Sequence, residues 1–140
     1  MRIFFDTNVL LDVLIPGRPS KFASDTVMQI IRKSRYELFV TTQSIIDIYY
    51  TAQRSHVDKE DIDQLTEWLL NYANVRPIES YCLRSALESG HHDFEDSAQL
   101  ACAEDEECDV FLTSDEGILR RDITSMLVMT PGQFIDRLRP

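Results

Sequence analysis

The chain has 140 residues, of which 44% are hydrophobic and 27% are charged. This composition excludes the intrinsically disordered and collagen-like classes and is typical of one globular domain, here spanning residues 1–140. The formal net charge of −10 argues against a protein that holds nucleic acid by phosphate contacts alone, because such proteins are basic.

The cysteines and the apolar runs indicate a compartment. Cys82, Cys102 and Cys108 form an odd, scattered set without a Cys-x-x-Cys pair. This pattern argues against a disulfide framework and against a zinc site. The apolar run after Arg2 is too short for a signal peptide, and no later run reaches the 18 residues of a membrane span. We therefore expect a cytoplasmic protein with no membrane contact.

Short apolar runs alternate with segments of helical period along the whole chain, which predicts an α/β fold with a mostly parallel sheet. Predicted strands lie at 3–5, 38–40, 75–78, 110–112 and 126–129. Pro77 predicts that the third strand is at a sheet edge or that the proline is near the end of the strand. Predicted helices lie at 8–15, 20–34, about 42–52, 58–71, 80–89, 94–107, 116–119 and after Pro131. The second helix is expected to bury a stripe that contains Phe22, Val27, Ile30 and Ile31.

Two acids follow predicted strands. Asp6 comes directly after the first strand, and Asp115 comes shortly after the fourth. In open α/β sheets, ligands bind beyond the carboxyl ends of the strands, so both acids are candidates for a functional site. Asp is also a good N-cap for a following helix, and for each acid taken singly this alternative stays open.

Asp96 is the third candidate and lies in the first turn of the alanine-rich helix. The apolar face of that helix predicts packing on the sheet, so its N-terminus points toward one sheet end. Asp93 lies three residues earlier and shares a side with Asp96 if it belongs to the helical turn. The alternative is that both acids only complement the positive end of the helix dipole.

Asp47 is the fourth candidate and lies inside an apolar run on a predicted helix. A charged residue in such a run is costly unless it is paired, bound to metal or turned to solvent. Helical geometry permits the solvent-facing orientation, and that alternative stays open.

Carboxylates that converge on one point repel one another, and a divalent cation removes that penalty. Oxygen ligands with few histidines suit Mg²⁺ or Mn²⁺ rather than zinc. These ions keep bound waters and bind phosphate, so the acids predict phosphodiester hydrolysis by a metal-activated water. We expect His91 and His92 to be solvated loop residues rather than ligands, because adjacent side chains point apart.

Four motifs in register give the chain a resemblance to a known family. They are Phe5 to Asp12, Asp93 to Asp96 leading into an alanine-rich helix, Leu112 to Asp115, and Thr130 to Phe134. In order and spacing they resemble the PIN-domain ribonucleases, and within them the toxins of VapBC-type toxin–antitoxin pairs. The resemblance implies a three-layer α/β/α sandwich around a mostly parallel five-stranded sheet.

The resemblance also implies roles for single residues. The metal-binding acids that it implies are Asp6, Asp96 and Asp115, and the catalytic set comprises these three with Asp47. Asn8 and Thr113 match polar residues that line the pocket, and Asp93 is an additional acid of the kind that some members show. Where Asp47 stands, the family usually has Glu, so the shorter side chain favours a water-mediated contact with the metal.

The cofactor that the resemblance implies is Mg²⁺ or Mn²⁺, and the substrate that it implies is structured RNA. The partners that it implies are a second copy of the chain and an antitoxin protein that inserts a segment over the site. The resemblance accommodates the net charge of −10. Family members need not be basic, because metal ions and a narrow cleft bind the phosphate.

Three other protein classes share parts of this pattern. A phosphatase of the haloacid dehalogenase type needs Asp-x-Asp, but Asn8 stands two residues after Asp6. A receiver domain needs two adjacent acids after the first strand, and Thr7 breaks that pair. A PIN-like module with a degraded site that acts only by protein binding stays open, because of the exchange at Asp47 and the acidic surface.

Overall fold

Five parallel strands form one sheet in the computed structural model, which describes residues 1–140. The strands are β1 (Arg2–Phe5), β2 (Glu37–Thr41), β3 (Asn74–Arg76), β4 (Val110–Leu112) and β5 (Leu127–Met129). Their order is β3-β2-β1-β4-β5, and every neighbouring pair is parallel. The order reverses between β1 and β4, which makes a topological switch point, the usual ligand position in such sheets.

Eight helices cover the sheet, and each of them was predicted. They are α1 (Thr7–Leu14), α2 (Lys21–Lys33), α3 (Thr42–Arg54), α4 (Lys59–Tyr72), α5 (Ser80–Glu88), α6 (Phe94–Asp105), α7 (Glu116–Leu119) and α8 (Pro131–Leu138). None of them combines the length and the apolar character that crossing a membrane requires. The predicted edge position of the third strand is also confirmed, since β3 lies at the end of the sheet.

Two separate apolar clusters lie on the two faces of the sheet. Successive side chains of a strand point to opposite faces, so Ile3 and Phe5 join one cluster and Phe4 joins the other. Helices α1, α2, α3, α4 and α8 contribute to the first cluster, and α5, α6 and α7 contribute to the second. Phe4 stacks on Phe111 with ring centroids 5.1 Å apart. The predicted three-layer α/β/α sandwich is therefore confirmed.

The predicted buried stripe of α2 was wrong at Phe22, whose side chain is 85% exposed. The buried residues of this helix are Ser24, Val27, Met28 and Ile31. At 3.6 residues per turn, Phe22 lies on the opposite face from these four residues. Phe22 was predicted to be buried because it is apolar, although its position in the helical period does not match that of the buried residues.

Arg2 fixes the amino end of β1 through several partners. Its Nη1 donates to Glu37 Oε2 at 2.9 Å, and its Nη2 donates to the Glu106 carbonyl oxygen at 2.7 Å. Its backbone N–H donates to Asp109 Oδ2 at 2.7 Å, and its guanidinium lies 4.4 Å from the centroid of the Phe39 ring. The acids Glu37, Glu106 and Asp109 at this end of the central strand therefore each have an ion-pair or hydrogen-bond contact with Arg2.

Candidate active site

A cleft of about 390 Å³ opens at the carboxyl ends of β1 and β4. We call it the acidic cleft, because its lining includes six carboxylates, which are Asp6, Asp47, Asp93, Glu95, Asp96 and Asp115. None of the six has a Lys, Arg or His nitrogen within 4.0 Å. Asn8 also lines the cleft, as predicted. The charges at this end of the sheet are therefore uncompensated.

Asp6 stands at the centre of the acidic cleft and is only 1% exposed. It occupies the N-cap position of α1, but its side chain makes no capping hydrogen bond. Instead, Thr113 Oγ1 donates to Asp6 Oδ2 at 2.7 Å. The cap alternative therefore fails for Asp6. The expectation that Thr113 lines the pocket also needs correction, because its side chain is fully buried and holds Asp6 in place.

Burial raises the pKa of Asp6, and the charge of Asp115 raises it further, whereas Thr113 and Gln99 lower it. Gln99 is only 2% exposed, and its Oε1 has no hydrogen-bond partner. A buried acceptor without a donor is costly, so this atom calls for a partner at the site. Sequence reasoning missed Gln99, because its place among apolar helix residues gave no sign that it contacts Asp6.

Asp115 combines the two roles that its sequence left open. Its Oδ1 accepts from the Ile118 backbone N–H at 3.1 Å and caps α7, and its own N–H donates to Thr113 Oγ1 at 3.0 Å. Its Oδ2 takes part in neither bond, and the carboxylate lines the acidic cleft. A Cβ added to Gly117 would lie 2.9 Å from Asp115 Oδ1. Any side chain at position 117 would therefore clash with this carboxylate, and glycine avoids the clash.

Asp93 and Asp96 both line the acidic cleft, although Asp93 lies outside the helical turn. Asp93 is the N-cap of α6, and its Oδ1 accepts from the Asp96 backbone N–H at 3.1 Å. Burial, the charge of Asp93 and then the charges of Asp6 and Asp115 raise the pKa of Asp96 to about 7. Four carboxylates from β1, α6 and the loop after β4 therefore repel one another across the cleft.

Asp47 is half-buried and lines the acidic cleft from α3. Its Oδ1 accepts from Gln43 Nε2 at 2.9 Å. Glu95 lies in the same cleft, where burial and the charge of Asp47, followed by those of Asp6 and Asp93, raise its pKa. Sequence reasoning did not assign Glu95, because acids are common in the first turn of any helix.

A chain of hydroxyl groups joins the ends of β1 and β2 beneath Asp47. Thr41 caps α3 by accepting from the Ser44 N–H at 3.0 Å, and its Oγ1 donates to Ser44 Oγ at 3.0 Å. Ser44 Oγ and Thr7 Oγ1 are 2.7 Å apart. Asp47 lies three residues beyond Ser44 on the same side of α3, so these bonds fix the helix that carries it.

These residues fit a divalent cation that keeps several waters. No group of three or more Asp, Glu, His or Cys side chains stands close enough for direct binding of one ion. Mg²⁺ is usually held by only one or two carboxylates, with waters in its other positions. Unpaired carboxylates and the partnerless Gln99 Oε1 suit such a hydrated ion. As expected, His91 and His92 are exposed, and neither lines the acidic cleft.

Comparison with known proteins identifies the family. The family described as "PIN domain" matches residues 2–117. The chain belongs to the PIN domain family. This PIN domain is 24% identical over 141 residues to Ribonuclease VapC1 of Aquifex aeolicus (strain VF5), covering 97% of this chain and 94% of that protein. The resemblance seen in the four sequence motifs is therefore confirmed.

Solved structures share the fold of this PIN domain. A chain of a toxin-antitoxin complex from Klebsiella pneumoniae superposes with a TM-score of 0.67 at 18% identity, covering 92% of this chain and 97% of that one. The Mycobacterium tuberculosis toxin VapC20, described as cleaving the sarcin-ricin loop, superposes with a TM-score of 0.66 at 11% identity, covering 84% and 95%. At these identities, the likeness establishes the fold.

Proposed function

We propose that this PIN domain is a divalent-metal-dependent endoribonuclease and the toxin of a toxin–antitoxin pair. The observation that carries the proposal is the acidic cleft, where the buried Asp6 and five other carboxylates, none with a cationic partner, lie at the switch point of the sheet. Membership of the family and similarity to a named ribonuclease over nearly the whole length support it.

The proposed cofactor is Mg²⁺ or Mn²⁺, held by Asp6, Asp96 and Asp115. When bound, such an ion supplies positive charge to the phosphate and lowers the pKa of a coordinated water. Thr113 holds the Asp6 carboxylate in one orientation, and the nearby Gln99 amide lowers the pKa of Asp6. No three carboxylates stand within direct reach of one ion, so at least one of these three acids, like the other acids of the cleft, would act through a bound water.

The proposed substrate is structured RNA, and the proposed partners are an antitoxin and a second copy of the chain. A toxin-antitoxin complex of similar fold favours the antitoxin. A cytoplasmic setting is part of the proposal, and the three free, buried thiols suit a reducing compartment.

The test is cleavage of structured RNA by the purified protein with Mn²⁺ or Mg²⁺, with and without EDTA. We expect Asp6→Asn and Asp96→Asn to lose at least ~100-fold in rate, more than the loss of an outer partner of a metal ligand. Glu37→Gln is the matched control, because it removes one charge at the opposite end of the sheet. Equal cleavage by all variants, or in EDTA, would contradict the proposal.

A second measurement separates the nuclease from a PIN-like module with a degraded site. A crystal soaked in Mn²⁺ should show an anomalous peak between Asp6 and Asp115 with Asp96 near. A peak elsewhere would overturn the metal assignment. Failure to cleave any RNA, together with tight binding of a protein partner, would favour the binding module, which the exchange at Asp47 keeps in view.

A further inference from the structure

A second cleft, of about 350 Å³, lies between α5, α6 and the segment after α7, and it shares no lining residue with the acidic cleft. We call it the Arg121 cleft. Besides Arg121, its lining includes His91 and three serines, which are Ser85, Ser89 and Ser97. Hydroxyl groups beside a guanidinium are the groups that bind phosphate oxygens in proteins. Nothing in the proposed chemistry of the acidic cleft uses these residues.

Arg121 is unusual among the basic residues of the chain. The other three half-buried basic residues, Arg2, Arg18 and Lys21, each pair with a carboxylate. Arg121 is also half-buried, but no carboxylate oxygen lies within 4.0 Å of it. In a protein with a net charge of −10, a half-buried guanidinium without an acidic partner is available to bind an external anion.

Neighbouring groups hold Arg121 but leave most of its donors free. Its Nη1 donates to Ser97 Oγ at 2.9 Å, and this is the only hydrogen bond of its side chain. Ser97 Oγ in turn donates to the Asp93 carbonyl oxygen at 3.0 Å, so its oxygen faces the guanidinium as an acceptor. A guanidinium has five N–H donors, and the remaining ones are available to a ligand. The side chains of Ser85 and His91 make no hydrogen bond and add further donors.

The two clefts share the first turn of α6. Asp96 lines the acidic cleft, and Ser97, the next residue, accepts from Arg121 in the second cleft. The short helix α7 connects Asp115 in the acidic cleft to Arg121. A nucleic-acid strand whose phosphate is cleaved at Asp6 therefore has a cationic contact in the neighbouring cleft.

We propose that the Arg121 cleft binds a backbone phosphate of the RNA next to the phosphodiester that is cleaved. This inference rests on the proposed function and assigns it a substrate-binding residue outside the acidic cleft. Phosphate contacts of this kind fix the register of a strand without selecting its sequence. Arg121 thus attracts the RNA phosphate, which the negative net charge of the protein repels.

Two acids at the cleft refine the inference. Glu104 lines it, but its Oε1 accepts from Ser125 Oγ at 3.0 Å. Asp122 also lines it and has no ion-pair partner. Both acids repel a phosphate and therefore weaken its binding. Removal of one negative charge should increase the affinity of the cleft for phosphate. Asp122→Asn is therefore expected to increase RNA affinity, in the opposite direction from loss of Arg121.

The experiment measures binding of a fluorescein-labelled RNA stem-loop in EDTA, where cleavage is blocked, over a series of salt concentrations. Arg121→Gln should weaken binding about tenfold, as loss of a charged hydrogen bond does. It should also reduce the salt dependence of log Kd by ~0.7, the value for one phosphate of a single strand. Arg120→Gln is the matched control, since it removes the same charge from the adjacent, exposed residue that pairs with Glu116 at 3.0 Å.

Arg121→Lys guards against a folding defect in the Gln variant, because it keeps the charge and loses the planar fork. It should keep the salt dependence of the wild type while binding more weakly. If Arg121→Gln and Arg120→Gln change affinity and salt dependence equally, the phosphate site is overturned. The site is also overturned if Arg121→Gln weakens only capture of a protein partner with an acidic segment.

Cleavage of the same RNA with Mn²⁺ separates failure of this inference from failure of the proposed function. If the wild type cleaves the RNA and Arg121→Gln has the same KM as Arg120→Gln, the phosphate site at Arg121 is contradicted and the proposed nuclease function is supported. If the wild type neither binds nor cleaves RNA, both fall. A raised KM with an unchanged kcat in Arg121→Gln is the expected result, because the residue contacts the strand away from the reacting phosphate.

Discussion

The two ends of β1 treat charge in opposite ways. At the amino end, Arg2 contacts Glu37 and stacks on Phe39, and Asp109 accepts from the Arg2 backbone. At the carboxyl end, four residues later, Asp6 faces other carboxylates and no cation. Charge pairing at the first end stabilises the fold, whereas repulsion at the second end lowers the stability of the metal-free protein. Such a cost is characteristic of a functional site.

The largest effect within this comparison is expected from Gly117→Ala. The added Cβ would lie 2.9 Å from Asp115 Oδ1, so the carboxylate must move out of the acidic cleft or lose its cap. We expect RNA cleavage to fall ~10–100-fold, the range for displaced supports of a metal ligand. Gly132→Ala is the control, since its Cβ would lie 3.9 Å from the equivalent cap, Thr130 Oγ1. Equal rates for the two variants would show that Asp115 is not held by this contact.

A smaller effect is expected from Gln99→Leu, which removes the amide beside Asp6 and keeps the side-chain volume. Affinity for Mn²⁺, measured by calorimetry, should fall about tenfold, because outer-shell groups orient metal ligands. Gln64→Leu, on the exposed face of α4, should leave the affinity unchanged. An unchanged Mn²⁺ affinity in Gln99→Leu would mean that Thr113 alone holds Asp6.

The carboxyl end of the sheet should also make stability depend on pH. Asp96 has a pKa raised from 3.8 to about 7, so the folded metal-free protein binds this proton more tightly than the unfolded chain. Its contribution to stability is greatest below pH 4 and declines as the pH rises to about 7. In EDTA, Asp96→Asn should therefore raise the Tm at pH 8 and flatten the decline between pH 4 and pH 8.

Asp136→Asn is the control for this measurement, because Asp136 is an exposed residue of α8 far along the chain from the acidic cleft. Mn²⁺ should restore the stability of the wild type at pH 8 and have little effect on Asp96→Asn. A wild-type Tm in EDTA that is the same at pH 5 and pH 8 would count against repulsion in the acidic cleft.

The smallest effect is expected at the amino end of the sheet. Glu37→Gln removes one partner of Arg2 from an ion pair whose carboxylate is half exposed, so unfolding should become easier by only about 0.5 kcal/mol. Cleavage of RNA should not change. Urea denaturation measures the difference, and a loss of several kcal/mol would show that charge at the two ends of β1 is not separable.

Much of this arrangement could be predicted from the sequence, because it depends on strand ends. Asp6 and Asp115 follow apolar runs, and parallel strands bring their carboxyl ends to one sheet edge. The thirteen elements and the family could be predicted for the same reason. That residues 1–140 form one domain, and that Asp6, Asp96 and Asp115 bind metal, stay predictions.

What could not be predicted depends on the direction of side chains on helices. Glu95 and Gln99 lie on α6 and Arg121 follows α7, all in segments whose composition is ordinary. Only tertiary packing places Glu95 in the acidic cleft, buries Gln99 and places Arg121 in the second cleft. The family resemblance implies that Thr113 lines the pocket, but its side chain is fully buried and donates to Asp6. Phe22 shows the same difficulty, since polarity alone does not fix a helical face.

The hydrogen bond between Thr113 and Asp6 joins residues 107 positions apart. Asp6 is among the first residues to be synthesised, and its supporting hydroxyl comes late, with most of the chain between them. Because β4 must dock beside β1 before this bond exists, the acidic cleft cannot assemble until β4 has been synthesised and has paired with β1. An incompletely synthesised polypeptide therefore contains Asp6 but lacks the Thr113 hydroxyl that orients its carboxylate.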